Sequence, residues 1–598
     1  MTTNDKLHAL RLLMQKNNID AYIIVTDDFH ASEYVGDYFK AREYMSGFTG
    51  SAGTLVVLKN RSALWTDGRY FIQAEAQLAD SEIELMKIGN DGVLSIPDFL
   101  LKNLNSNDTI GFDGRCVSNN FIKELENRLD SKNINFSWNH DLVNEVWTER
   151  PPISKEKIWE LDTKYTGLTR DEKLAKVRAS MEDEKSNYLI LTALDEIAWL
   201  LNLRGNDIKC TPVFLAYMII EAHTASLFIH NEIIEDDIEQ KLNKSNIIIK
   251  DYDDFYKEIS KIPHDKTVHI DSKTVNYRVL KSLADHAKIL DKESPVTLFK
   301  AIKTKTEMEN MRKAHIIDAV AVTKFIYWLK NNVKNENITE LAAANKLEEL
   351  RRECTSYIET SFDSIIAYGA HGAIIHYEPT KETNVVMKPN SFCLADVGGH
   401  YLEGTTDVTR TIALGSLSDK EKMAYTLVLK GHLNLANAKF PYGVCGENLD
   451  YLARAPLWEH GLDYNHGTGH GVGYLLNVHE GPQTISWNIN RRKNHYVLEE
   501  GMITSDEPGL YFENEFGIRL ENLIMVRKGV KNEYAQFMYF ENLTMIPFDF
   551  EAVIPALMTD IEIEMLNNYH QMVYNQIAPY LNDYEKKWLK ESTRKISK

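Results

Sequence analysis

The sequence predicts an α/β protein of several domains, in which two related N-terminal α/β domains precede a third, strand-rich part that carries the chemistry. Three observations predict it. The chain has 598 residues, more than one hydrophobic core organises. Two early stretches repeat one rhythm of polar helix, apolar strand, Asp-bearing turn and returning strand, as an internal duplication would. After residue 385 the pattern turns to strands, turns and glycines, where reacting groups can be held in fixed positions.

The first stretch runs through Ala-Tyr-Ile-Ile-Val (21–25) and Thr26-Asp-Asp28 to an apolar strand at 54–57. The second runs through Tyr-Leu-Ile-Leu (188–191), Thr192-Ala-Leu-Asp195 and Trp199 to an apolar run at 213–220. Between them the segment Trp147-Thr-Glu-Arg-Pro-Pro152 suits a linker, because paired prolines disfavour helix. A third region begins near residue 300, where Thr306 and Glu309 fit a capping box ahead of a long amphipathic helix. Met308, Met311, Ala319, Val322, Ile326 and Leu329 fall on one face of that helix and are assigned to the core. Beyond Pro555, Thr559 and Glu562 form a second capping box, with Ile563, Leu566, Met572 and Val573 available for burial. The charged end of the chain, around Trp588 and Leu589, is free to pack on its own domain or on a second subunit. The resulting division is 1–150, 151–300, 301–550 and a helical tail, 551–598.

Composition narrows the function. The net charge of -19, from 68 Lys and Arg against 87 Asp and Glu, argues against nucleic acid or an anionic membrane as partner. The five cysteines are scattered, with no CxxC pair to suggest zinc or redox chemistry, and read as reduced thiols. No signal-peptide pattern opens the chain, and no stretch reaches the about 18 consecutive apolar residues of a membrane span. The expected location is the cytoplasm.

Two segments, Cys393-Leu-Ala-Asp396-Val-Gly-Gly399 and Gly404-Thr-Thr-Asp407-Val-Thr-Arg-Thr411, each set one Asp in an apolar, β-branched strand. A carboxylate there is costly to ionise unless paired or bound to a cation, so two on neighbouring strands suggest a metal site. Either alone reads more readily as a turn or hydrogen-bonding residue than as a ligand. The run His466-Gly-Thr-Gly-His470-Gly-Val-Gly473, followed by His479, places three histidines among glycines that let the backbone approach a ligand closely. Glu507 stands before a Pro-Gly turn, and Glu521 interrupts an apolar run. A salt bridge to Arg519 is the plainer reading for Glu521. Together, Asp396, Asp407, His470, Glu507 and Glu521 offer four carboxylates and one imidazole, a donor set suited to Mn(II), Co(II) or Fe(II). Two such ions roughly 3.5 Å apart can activate water against a carbonyl, so hydrolysis is the expected reaction.

The order Asp, Asp eleven positions on, then His, Glu and Glu resembles the pita-bread metallopeptidases, and more closely their cytosolic X-prolyl aminopeptidases. The likeness spans nearly the whole chain, including Trp65-Thr-Asp-Gly-Arg-Tyr-Phe71, Thr192-Ala-Leu-Asp-Glu-Ile-Ala-Trp199 and the glycine-histidine run at 466–473. It implies two creatinase-like N-terminal α/β domains ahead of an α+β pita-bread catalytic domain whose antiparallel sheet is wrapped by helices. It implies a two-ion centre, manganese by expectation, on the five residues above, and attack by a metal-bridging hydroxide on the first peptide bond of short peptides with proline second. Glu507 would also accept and shuttle the proton. His376, His466 and His479 would line the pocket and stabilise the tetrahedral intermediate, with His376, His470 and His479 also touching substrate, and Arg69 matches a position that reaches the peptide. The stretch 474–500 would shape the pocket rim. A homodimer built through the C-terminal region is the expected assembly. Two other readings stand beside this one: a prolidase acting on Xaa-Pro dipeptides, and a metal-free pita-bread scaffold.

Overall fold

A computed structural model describes residues 1–283, 287–487 and 495–598. Two compact units make up the chain: residues 1–162 with 168–297, and residues 163–167 with 298–598.

The first unit holds two six-stranded sheets of one topology. In the first, Ala21–Val25 lies antiparallel to Thr54–Leu58 and parallel to Thr109–Gly111. In the second, Tyr188–Leu191 lies antiparallel to Tyr217–Ile220 and parallel to Thr267–Ile270. Outward from these centres the remaining strands repeat the same directions, antiparallel then parallel on one side and parallel on the other. The repeated rhythm of the sequence is therefore a repeated fold. The central strands are buried along their length, which is why they read as continuous apolar runs rather than alternating ones. In the run 213–220 only Tyr217–Ile220 is strand. The amides before it are engaged locally, Val213 N donating to Thr211 O and Leu215 N to Asp207 Oδ2, and so cannot join a ladder. Residues 147–152 carry no helix or strand, in keeping with the paired prolines.

The second unit begins with the helix Lys305–Asn332. Its cap is Thr304 with Glu307, not Thr306 with Glu309: the Thr304 hydroxyl accepts from Glu307 N and the Glu307 carboxylate from Thr304 N. The sequence offers two overlapping Thr-x-x-Glu pairs, and the earlier one lengthens the helix by a half turn with the same reciprocal bonds. The expected apolar face, Met308 through Leu329, is buried. It shares a core with the helix Asp419–Ala436 and with the antiparallel strands Ile365–Tyr368, Phe392–Val397 and Val408–Ala413. A second antiparallel sheet orders Lys439–Pro441, Gln536–Asn542, Asn522–Lys531 and Ile503–Asp506.

Thr559 and Glu562 do form a capping box, opening the helix Asp560–Ile577. Ile563, Leu566 and Val573 are buried in the same core, but Met572 is 42% exposed. Nine positions beyond Ile563, Met572 lies about 180° around the helix from it. Leu589 is buried in that core too, and the Trp588 ring lies 5.9 Å from Tyr327, so the chain end packs on its own unit.

Candidate active site

The strand pair Phe392–Val397 and Val408–Ala413 sets Asp396 opposite Thr409. Asp407 lies one residue before its strand rather than inside it, at the mouth of the same pair. On the second sheet, Asp506 pairs with Asn522, so Glu507 and Glu521 leave the same end of two adjacent strands. Glu521 is tied back to the first pair, its N donating to Thr409 O (3.1 Å) and its Oε2 accepting from the Thr409 hydroxyl (2.8 Å). The two sheets thereby deliver four carboxylates to one place.

His470 enters from a third direction. Its backbone N donates to Ser505 Oγ, and its Nε2 stands 3.5 Å from Asp407 Oδ2 and 3.5 Å from Glu507 Oε1. Donor atoms of Asp407, His470 and Glu521 all lie within 4.8 Å of one another. Two glycines of this run also give the backbone room against its own neighbours. A Cβ on Gly469 would sit 2.0 Å from Ser505 O, and one on Gly471 2.0 Å from Glu480 O, so the bare backbone packs against its own neighbours.

Within this cluster, Asp396 Oδ1 and Glu521 Oε1 are buried and accept no hydrogen bond among the described residues. Such oxygens cost free energy unless something positive meets them. Burial, reinforced by the neighbouring carboxylates, pushes the Asp407 and Glu521 carboxyls well above their ordinary range. Burial likewise pushes Glu507 up to about 7, against the pull of Arg519. Orphaned oxygens, crowded acids and one imidazole fit two divalent cations, which would neutralise what the protein alone leaves protonated.

The raised Glu507 carboxyl gives a pH dependence whose sign is fixed. Between its ordinary value and about 7 the folded, metal-free protein holds a proton that the unfolded chain has lost. That contribution to stability is present at low pH and is lost as pH rises through about 7. The melting temperature of chelated protein is expected to fall from about pH 5 to about pH 8, and added divalent metal to raise it most at the upper end. A metal-free melting curve that climbs over this interval would contradict the protonated cluster.

The salt bridge to Arg519, the plainer reading of Glu521 taken alone, does not form: Arg519 pairs with Asp396, Nη2 lying 2.6 Å from Oδ2, while Glu521 Oε2 accepts from the Thr409 hydroxyl. Arg519 Nη1 donates to Tyr511 OH (2.8 Å), and that hydroxyl lies 2.8 Å from His466 Nε2. As Tyr511 accepts from Arg519, its single proton points to His466 Nε2, leaving the other ring nitrogen to donate to Gly467 O at 2.7 Å. Sequence reasoning missed Tyr511 and did not foresee the pairing of Arg519 with Asp396. No motif marks Tyr511; only the hairpin Gly509–Phe512 with Phe516–Arg519 brings it beside Arg519.

His376 lies on the loop after the short helical turn Gly369–Ala373. Arg519 Nη2 also donates to Ile375 O (3.2 Å), and Gly517 meets Gly372 so closely that a Cβ would fall 1.7 Å from the Gly372 oxygen. Buried Glu340, likewise unforeseen, brackets the loop by accepting from Tyr368 N, His371 Nδ1 and Tyr377 OH, each at 2.8 Å. The His479 ring stands edge-on to His470, centroids 4.4 Å apart at 86°. Arg69 belongs to the first unit, where Nε and Nη2 are held by Asp67 at 2.9 and 2.8 Å. Of the expected rim 474–500, residues 488–494 lie outside the described residues.

Residues 309–528 match the metallopeptidase family M24, and residues 536–596 its C-terminal region. Residues 6–145 and 149–307 each match a creatinase/prolidase N-terminal domain. Aminopeptidase P2 of Arabidopsis thaliana is 38% identical over 100% of this chain and 89% of its own length. Xaa-Pro aminopeptidase 1 of Dictyostelium discoideum is 37% identical over 99% and 96%. The crystal structure of X-prolyl aminopeptidase from Caenorhabditis elegans, described as a cytosolic enzyme with a di-nuclear active site, matches with a TM-score of 0.95 at 36% identity, covering 100% of both chains. The fold and this cluster define an M24 metallopeptidase with creatinase-type N-terminal domains. Within that class, the chain belongs to the Xaa-Pro aminopeptidase (aminopeptidase P) family.

Proposed function

We propose that this chain removes the first residue from short peptides whose second residue is proline, using two divalent ions, manganese by preference, held by Asp396, Asp407, His470, Glu507 and Glu521. The observation that supports it most is the convergence of these side chains around two buried oxygens without partners, in a chain similar along its whole length to Xaa-Pro aminopeptidases. When bound, the ions would lower the pKa of water and polarise the scissile carbonyl.

The chain's own residues supply the rest. Glu507 is assigned to accept a proton from the attacking water and pass it to the departing amine. Arg519 pairs with Asp396 and, through Tyr511, fixes the tautomer and orientation of His466. His376, His466 and His479 line the pocket and stabilise developing charge on the carbonyl oxygen. Arg69 is assigned to the substrate as well.

The test is hydrolysis of Arg-Pro-Pro and longer Xaa-Pro peptides beside Gly-Pro, with manganese added and then chelated. Release of the first residue from the longer peptides, abolished by chelation and restored by manganese, is expected. A marked preference for Gly-Pro would make the protein a prolidase, and no cleavage with no retained metal would make it a scaffold.

The proposed location is the cytosol, supported by the C. elegans neighbour and by the absence, among the described residues, of any helix long and apolar enough to cross a membrane. The proposed assembly is a homodimer. It would be built through the C-terminal region, as the family resemblance implies. Sedimentation equilibrium showing one chain per particle would refute it.

A further inference from the structure

Behind the two site histidines lies a buried group of charges that the chemistry above does not use. Glu480, the residue after His479, sends its carboxylate inward between two ammonium groups: Oε2 is 3.0 Å from Lys300 Nζ and Oε1 3.3 Å from Lys303 Nζ. All three side chains are at least 96% buried. Lys303 makes a second contact, donating from Nζ to Val472 O at 2.6 Å. Val472 lies two residues after His470, and its own N donates to Ile503 O.

One ammonium therefore joins the chain just past His470 to the chain just past His479. The backbone repeats the connection, since Glu480 N donates to Gly471 O at 2.8 Å. Gly473 gives the carboxylate its room: a Cβ there would lie 2.6 Å from Glu480 Oε2. Lys303 is itself fixed, its N donating to Gly501 O (3.2 Å) immediately before the Thr304 cap of the long helix. A surface lysine could not serve this way, because water would compete for its donors; a buried ammonium must satisfy them within the protein.

We propose that Lys303 is a positioning residue, whose ammonium clamps the segments following His470 and His479 and so sets the edge-on arrangement of the two rings in which His479 meets substrate. This rests on the assignment of His479 to the substrate pocket.

The test is Lys303→Met, which leaves Glu480 paired one-to-one with Lys300 and so keeps the buried charge compensated. In hydrogen exchange on the metal-free protein, amides in 469–482 are expected to exchange on the order of tenfold faster than in the parent, while those of the strand Phe392–Val397 keep the parent rate. In the manganese-loaded enzyme kcat/KM is expected to fall by about tenfold or more. Introduced into His479→Ala, the same substitution should add little further loss, because the group it positions is already gone.

Unchanged exchange in 469–482, or acceleration spread evenly over the second unit, would overturn the proposal. So would losses from Lys303→Met and His479→Ala that multiply in full. In that case only the clamp falls; if His479→Ala alone leaves turnover intact, the assignment of His479 fails and the clamp falls with it. Should Lys303→Met not accumulate as folded protein, Lys303→Gln, which keeps a neutral donor toward Val472, carries the same measurements.

Discussion

Asp407→Asn protein is expected to bind divalent metal at least about 10²-fold more weakly than the parent, and to lose turnover in step when metal is limiting. Losses of that size follow from removing mere outer partners of a ligand, and Asp407 stands in the cluster itself, with His470 Nε2 at 3.5 Å from its Oδ2. The amide keeps the shape but removes one of four anions that oppose two dications, while Asp396 Oδ1 and Glu521 Oε1 remain buried without protein partners. Calorimetric titration of chelated protein with manganese reads the effect directly. Parent-like affinity would remove Asp407 from the centre and with it the account of the cluster.

His466→Ala should behave in the opposite way, sparing metal affinity and slowing turnover by about 10²-fold. Its ring contacts lie on the Tyr511 side, Nε2 at 2.8 Å from that hydroxyl, whereas the candidate ligands surround His470. Tyr511→Phe is the informative companion. It removes the hydroxyl that orients His466 and receives Arg519 Nη1, while leaving both side chains in place. If His466 is effective only when so oriented, Tyr511→Phe reproduces part of the loss, and the double variant loses less than the product of the two. Metal affinity falling equally in His466→Ala and Asp407→Asn would erase the division between them.

The candidate ligands were legible where an acid or imidazole is chemically out of place, as with Asp396 in an apolar strand, His470 among glycines and Glu521 beside an apolar run. The helix stripes were legible for a related reason, since burial imposes a period on the long helix that Met308 through Leu329 obey. The duplicated fold showed through its central strands, which are short, apolar and buried in both copies.

What was not legible depended on pairing across long sequence separations. Arg519 is two residues from Glu521 yet bonds Asp396, 123 positions away, while Glu521 Oε2 accepts from Thr409. Tyr511 and Glu340 carry no signal of their own; each matters through what a hairpin or a helix N-terminus places beside it. Local competition hid smaller things. Thr304 and Thr306 head equally good capping pairs by spacing, and only the structure shows which hydroxyl the amide of the third helical residue meets. The glycines around His470 announced close approach correctly, but not that the approaching group was the protein's own backbone.

The contact between Gly372 and Gly517 has a consequence for how this family of sequences can drift. Where two main chains abut with no side chain between them, the height of the His376 loop above its neighbouring hairpin is set by the thickness of the peptide itself. A methyl group at Gly517, whose Cβ would fall 1.7 Å from the Gly372 oxygen, would act as a spacer and lift His376 away from its station, whereas one at Gly372 would meet Gly517 N at 3.1 Å and ask it to give only slightly.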